Sequence, residues 1–318
     1  GESALENRLF VSSSPHLRDH VSTQSIIRDV LIALVPAAAA GVWFYGLRSL
    51  LVIVVTMAAA VASEYLMRLG LKREQTVSDL SAAVTGLLLA LNLPPTIPIW
   101  MAIVGAVLAV ALIKQLFGGL GQNFMNPAMG ARVMMVVAWA GRMTAWIDPA
   151  TDAVTSATPL GILKEGGTKA LYLDMFWGNI AGCIGETSAF AILLGFAYLL
   201  FRKVITWRIP VIFTGTVAIL TWVLGPEGMF TGDPLYHVLG GGLLLGAVFM
   251  ATDYVTSPIT QKGTVIYAIG CGVLTTLFRL YGNNAEGVSF AIILMNVVTP
   301  LIDRYTVPVS FGGERRVG

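Results

Sequence analysis

The side chains best equipped for chemistry sit together in residues 151–160, Thr-Asp-Ala-Val-Thr-Ser-Ala-Thr-Pro-Leu. Asp152 stands before Thr155, Ser156, Ala157 and Thr158, and Pro159 prevents a regular helix from running through the stretch. A hydroxyl is a poor nucleophile unaided. The chemistry that suits this run is therefore to be modified, with Thr158 exposed as an acceptor and Asp152 the point for recognition or base assistance by a separate enzyme. By composition alone the same run also reads as an ordinary loop.

A second polar set is Gly121-Gln122-Asn123-Phe124-Met125-Asn126-Pro127-Ala128. Asn123 and Asn126 bring amide donors and acceptors to a helix start, where unpaired backbone N–H groups converge. Pro127 suits the first turn, and a plain N-cap by Asn126 accounts for the pattern equally well. Ionisable groups inside apolar runs form a third set, because such groups are costly in a bilayer. Glu64, beside Ser63, suits a hard cation when charged and a proton when neutralised; Arg132 is a candidate partner for it. Glu186 lies early in a later run. Asp79 after Ser78 has the position of a helix cap. Asp253, in Ala251–Pro258, has that of a capped and solvated helix end.

These residues are set in a chain of 318 residues that is 56% hydrophobic and only 12% charged. Soluble domains carry about a quarter of charged residues. We read an all-α integral membrane protein with about ten spans, near 29–46, 49–68, 78–94, 97–117, 125–141, 180–201, 208–225, 235–251, 263–280 and 286–303. They divide the chain into an N-terminal segment (1–28), a first five-helix repeat (29–141), a loop (142–179), a second repeat (180–303) and a tail (304–318). Gly86-Leu-Leu-Leu-Ala-Leu91 is echoed by Gly242-Leu-Leu-Leu-Gly-Ala247, and each is followed by a Pro-containing break. Five spans per half make the second half inverted relative to the first, as in transport-type folds.

With the N-terminus cytoplasmic, fourteen Lys and Arg fall on the inside and five outside, Arg132 within a span completing the 20. The positive-inside rule then puts both termini in the cytoplasm and Thr158 outside it. The balance of 20 basic against 18 acidic residues gives no nucleic-acid signature. Cys183 and Cys271 are far apart in apolar contexts, and the histidines are dispersed, so no metal set is expected. The polar first 27 residues contain no signal-peptide core. Most Trp, including Trp43, Trp100, Trp139, Trp146 and Trp177, fall near span ends, as an interfacial belt would.

The Asp152-x-x-Thr155-Ser156-Ala157-Thr158 run, the Asn123–Pro127 bend and Ser14-Pro-His-Leu-Arg-Asp19 together resemble the RnfD/NqrB family of flavin-carrying membrane subunits, over about Pro15 to Pro308. The short lead-in and the Ser-Ala-Thr-Pro-Leu ending favour the RnfD branch. The resemblance implies a five-plus-five bundle related to urea-transporter architecture, in a prokaryotic inner membrane. It implies FMN esterified through its phosphate to Thr158, with Arg142 as a counter-charge, and a noncovalent riboflavin whose ring edge meets Asn123, Phe124 and Asn126. Glu64, Asp79 and Asp253 become ion-pathway candidates. The implied partners are the other subunits of an Rnf-type ferredoxin:NAD oxidoreductase, among them an extracytoplasmic FMN subunit and membrane iron–sulfur subunits, together with a flavin transferase. The role is to relay electrons, coupled to Na+ or H+ movement, without binding NAD or ferredoxin. The competing reading is an inverted-repeat solute channel with no redox function.

Overall fold

The computed structural model describes residues 22–149, 151, 153–155, 158–225, 228–282 and 287–308. Asp152, Ser156 and Ala157 lie outside the described residues, as do Asn283, Asn284 and Glu286, the N-terminal 14–19 signature and most of the tail.

Among the described residues, four helices are long and apolar enough to cross a membrane: α1 (Thr23–Tyr45), α2 (Leu47–Gly70), α13 (Gln261–Tyr281) and α14 (Val288–Thr306). Between them run shorter apolar helices: α3 (Ser81–Leu91), α4 (Ile99–Val107, continued by a π-helix, Leu108–Gln115), α5 (Pro127–Ala138), α9 (Ala189–Phe201) and α10 (Arg208–Val223). Small pieces complete the chain: α6 (Ala140–Met143), α7 (Pro159–Lys164), α8 (Tyr172–Trp177), α11 (Pro234–Leu239) and α12 (Leu243–Leu245, continued by a π-helix, Gly246–Met250). The protein is thus a mostly helical membrane protein.

Several elements differ from the spans read in the sequence. The 78–94 span contains a helix of only 11 residues, about 16 Å at 1.5 Å per residue, half the ~30 Å of a hydrocarbon core. Pro94 and Pro95 stop it. The 235–251 span is split by Gly240–Gly242, with Gly241 and Gly242 at φ 68° and 66°, a left-handed backbone open to glycine and costly for other residues. The expected sixth span begins at Ala189 rather than 180. The stretch before it is non-helical and lies along the end of α3, where the Ile184 and Gly185 amides donate to the Leu93 and Leu91 carbonyls at 3.1 and 2.8 Å.

The two short helices carrying the Gly-Leu-Leu-Leu echo are apolar nearly all round, and both are buried, as such a pattern demands. α2 packs on α3 and α4, α10 on α13, α1 on α9, and α13 on α14. Close approach depends on small residues: a methyl at Gly86 would strike Ala60 and the backbone of Met57, and one at Gly195 would strike the Ala33 carbonyl. The α1–α9 pair is also clamped by Asp29, which accepts from Tyr198 at 2.9 Å and Arg202 at 3.1 Å.

Candidate functional site

The described residues of the hydroxyl-bearing stretch take up local structure that their composition does not suggest. Trp146–Ile147 (β1) and Val154–Thr155 (β2) pair as an antiparallel hairpin, Trp146 opposite Thr155. Three residues on, Thr158 caps α7: its Oγ1 accepts from the Gly161 amide at 3.2 Å, the usual task of a hydroxyl at that position. Thr158 is only 7% exposed. The expectation of an open hydroxyl is therefore corrected: the Thr-Pro pair supplies a cap and a first-turn proline, and the segment folds down instead of standing free. Arg142 is exposed on α6, a few residues before β1.

What holds the loop down is α11. Leu160, Met175 and Ile180 pack around the fully buried Tyr236. The Tyr236 hydroxyl donates to the Pro159 carbonyl at 3.1 Å and accepts from the Ala170 amide at 3.2 Å. Asp233 accepts from Tyr172 at 2.5 Å and Lys169 at 3.0 Å, and caps α11 through the Tyr236 amide at 3.1 Å. Partial burial alone would push the Asp233 carboxyl up, but the hydrogen bonds from Tyr172, the Tyr236 amide and Lys169 outweigh it and hold the group below its ordinary value.

The Asn-Pro bend lies on the wall of a separate cavity of about 370 Å³, within the range of small-molecule sites. Val30, Leu88 and Phe249 give it apolar walls, and Ser81, Lys114, Asn123, Asn126 and Asp253 bring polar groups to it. Asn126 is the N-cap of α5, accepting from the Ala128 and Met129 amides at 3.1 and 3.2 Å. Asn123 spends a donor on the Met125 carbonyl at 3.1 Å. Phe124 does not join the lining: it is half exposed and packs edge-on to Phe117 with ring centres 4.8 Å apart. Asp253 sits in the turn after α12, accepting from Thr256 at 3.2 Å and the Val255 amide at 3.4 Å.

Glu64 borders the same cavity through a partner, Lys114, that reads in the sequence as a span-end charge. Its Oε1 accepts from Gln115 at 2.6 Å, Lys114 at 3.2 Å and Thr76 at 3.2 Å. Lys114 also donates to Ser81 at 2.5 Å, and Ser81 donates to Asp79 at 2.5 Å. Glu64, Lys114 and Gln115 are at most 2% exposed. Adjacent residues of an α-helix do not face the same way; the wider turn of the π-helix brings Lys114 and Gln115 to one carboxylate, and such turns recur at functional sites. The missed signal is a lone Lys closing an otherwise apolar run. Asp79 does act at a helix start, its Oδ1 accepting from the Ser81 amide at 2.7 Å, and it also ends the Glu64–Lys114–Ser81 chain.

Arg132 is not Glu64's partner. It donates to Asn92 at 2.8 Å, Ser289 at 3.1 Å and Cys183 at 3.4 Å, with Glu186 at 4.0 Å. Glu186 in turn accepts from the Cys183 amide at 3.0 Å. Arg132 therefore ties α5 to the end of α3, to the turn before α9 and to α14. Each is a chain break or a helix start, where backbone and side-chain polar groups need partners. Arg279 does similar work on the broken segment, donating to the carbonyls of His237, Gly240 and Gly241. Arg68, Lys114 and Arg279 are thus buried cations rather than interfacial span-end charges, and without them the charge bias is twelve to four. Among the described residues, no group of His, Cys, Asp and Glu is arranged to hold a metal ion.

A hydroxyl-bearing loop docked against α11, and a mostly apolar cavity with a few polar groups on its wall, thus sit in a multi-pass helical membrane protein. Residues 10–312 match the model of the NQR2, RnfD, RnfE family, and the chain belongs to that family. It is 50% identical over 313 residues to the D subunit of the Na(+)-translocating ferredoxin:NAD(+) oxidoreductase complex of Acetobacterium woodii, covering 96% of each chain. It is 48% identical over 329 residues to the D subunit of the proton-translocating ferredoxin:NAD(+) oxidoreductase complex of Clostridium ljungdahlii, covering 99% of each. The D subunit of the ion-translocating oxidoreductase complex of Halorhodospira halophila is 36% identical over 342 residues, covering 95% of each.

Proposed function

We propose that this chain is the D subunit of an Rnf-type ion-translocating ferredoxin:NAD oxidoreductase and relays electrons between flavins held at its two sites. The names and full-length coverage of its relatives support the assembly. The single observation that carries the second flavin is the cavity among the helices. Its volume, mostly apolar walls and few polar groups fit an uncharged aromatic ligand with an amide-rich edge, such as riboflavin. Asn123 keeps its amide oxygen for such an edge, whereas Asn126 is largely occupied as a cap. A flavin supplies one- or two-electron redox chemistry; the chain's part is to bind it, exclude water and fix nearby charge.

Thr158 is the attachment point for FMN. A phosphoester at the far end of the ribityl chain removes dependence on affinity and leaves the ring system free. Because the Thr158 hydroxyl is buried as a cap, esterification occurs while the start of α7 is undocked from α11. In-gel flavin fluorescence and intact mass test this assignment. Thr158→Val removes the oxygen, so the covalent flavin vanishes while the bundle still assembles; the lost cap costs the loop ~1 kcal/mol. Thr158→Ser and Thr155→Val retain the flavin. Flavin retained in Thr158→Val and lost in Thr155→Val would move the attachment to Thr155; retention in both would remove it from the loop, and a wild-type chain with no covalent flavin would favour the plain channel. Both termini on the cytoplasmic side, ten crossings in two inverted halves and a flavin transferase complete the reading.

A further inference from the structure

The cluster beside the cavity holds a mismatch between acceptors and donors. Oε1 of Glu64 takes three hydrogen bonds, whereas Glu64 Oε2 and the amide oxygen of Gln115 are buried with no partner in the described structure. Both side chains are at most 1% exposed. Two orphan oxygens around one carboxylate are the ligand chemistry of a hard cation. The cation now present is the ammonium of Lys114, which touches only Oε1. It is tethered by a flexible stem, uses two of its three donors on Glu64 and Ser81, and lines the cavity. Of the other nearby charges, Arg68 donates to the Glu74 carbonyl at 2.5 Å and keeps its buried Nε without a partner, Arg73 donates to the Gln115 carbonyl at 3.1 Å, Asp79 accepts from Ser81, and Asp253 on the cavity wall accepts from Thr256 at 3.2 Å.

We propose that Lys114 is a tethered counter-cation: it neutralises Glu64 while the cavity is uncharged, and turns to the cavity when a negative charge arrives there, leaving Glu64 and Gln115 to take up a free monovalent cation. This rests on a flavin occupying the cavity. The charges balance. An electron from a one-electron donor of the complex adds one negative charge to the cavity, Lys114 keeps its three protons and supplies the compensating positive charge, and Glu64 exchanges the ammonium for one free cation. No covalent bond changes, and the net charge of cluster plus cavity is the same before the electron arrives and after the cation is bound. A monovalent cation is then bound only when the electron is present, which is the linkage an electron-driven ion pump requires.

The test uses the assembled complex and radioactive sodium, with proton uptake on reduction as the arm for a proton-coupled complex. The wild-type complex binds sodium at this site after reduction with dithionite and not before. The midpoint potential of its noncovalent flavin rises by about 59 mV for each tenfold rise in sodium, one cation per electron; in the proton-coupled case the same slope appears against pH. In Lys114→Met the carboxylate lacks its tethered partner. Sodium then binds in the oxidised complex as well, and the dependence of potential on cation concentration flattens. An unchanged slope in Lys114→Met overturns the proposal. If that variant fails to assemble, the wild-type measurement decides: equal sodium binding, or equal proton occupancy, before and after reduction overturns it. A wild-type complex that releases no noncovalent flavin on denaturation removes the cavity assignment and this proposal together; flavin present with an unaltered slope removes only the latter.

Discussion

Glu64 is visible in the sequence as a carboxylate in an apolar run, but its partner is not. Lys114 reads as a span-end charge because an apolar run says nothing of how far its last turn is buried. The partnership exists because a π-turn rotates Lys114 and Gln115 together, and no periodicity of apolar residues announces such a turn. Asn126 shows the opposite case: the Asn-Pro-Ala order specifies a cap locally, and the structure has that cap. With Glu64 accepting three bonds, Glu64→Gln removes the charge while keeping most of the shape. Charge-assisted contacts are worth ~1.5–3 kcal/mol, so the sodium concentration for half-maximal turnover rises about tenfold or more, with both flavins retained. In a proton-coupled complex the pH profile shifts instead. An unchanged cation dependence in the purified complex would take Glu64 out of the ion path.

At the scale of elements, the long helices are legible in the sequence and the short ones are not. α1, α2, α13 and α14 follow from length and hydropathy. α3 and the α12 segment read as full spans because a fully buried helix and a lipid-facing one are equally apolar; only the Pro-Pro and Gly-Gly-Gly breaks hint at their shortness. The loop between the halves is legible in its motif and not in its docking, which depends on Tyr236 and Asp233 about eighty residues downstream. That docking gives a pH prediction. A carboxyl held below its ordinary value of 3.8 contributes stability that is fully present above the ordinary value and lost as pH falls through the lower folded-state value. Asp233→Asn therefore loosens residues 159–177 at neutral pH, measured as faster hydrogen exchange in detergent. The difference from wild type shrinks as pH falls below the ordinary value of 3.8, where the undocked carboxyl takes up a proton, and it is gone once pH has passed the lower docked-state value. A variant no looser than wild type at pH 7 would show that the apolar contacts of Tyr236 suffice alone.

At the scale of the whole molecule, the two sites demand opposite surroundings. A hydroxyl loop that receives its group from another enzyme has to reach an aqueous face, and a cation site has to be shielded from one while keeping a route to it. Membrane orientation decides which face each site meets, and the charge count is what supports the proposed orientation. After Arg68, Lys114 and Arg279 are withdrawn as buried groups, twelve basic residues against four remain in favour of the proposed placement of the loop outside the cytoplasm, and the rule weighs short loops such as these most heavily. Ala153 offers the cleanest probe: it is exposed, it precedes β2, and its carbonyl accepts from the Asp148 amide, so a side chain there disturbs neither the hairpin pairing nor the Thr158 cap. Both native cysteines are buried. Ala153→Cys in otherwise wild-type protein is therefore labelled by a membrane-impermeant maleimide in intact cells. Cysteine introduced at Lys262, at the start of α13, is labelled only after the membrane is opened. The reverse pattern would put Thr158 in the cytoplasm and assign the charge bias to buried helix-end partners, of which Arg68, at the end of α2, is already one.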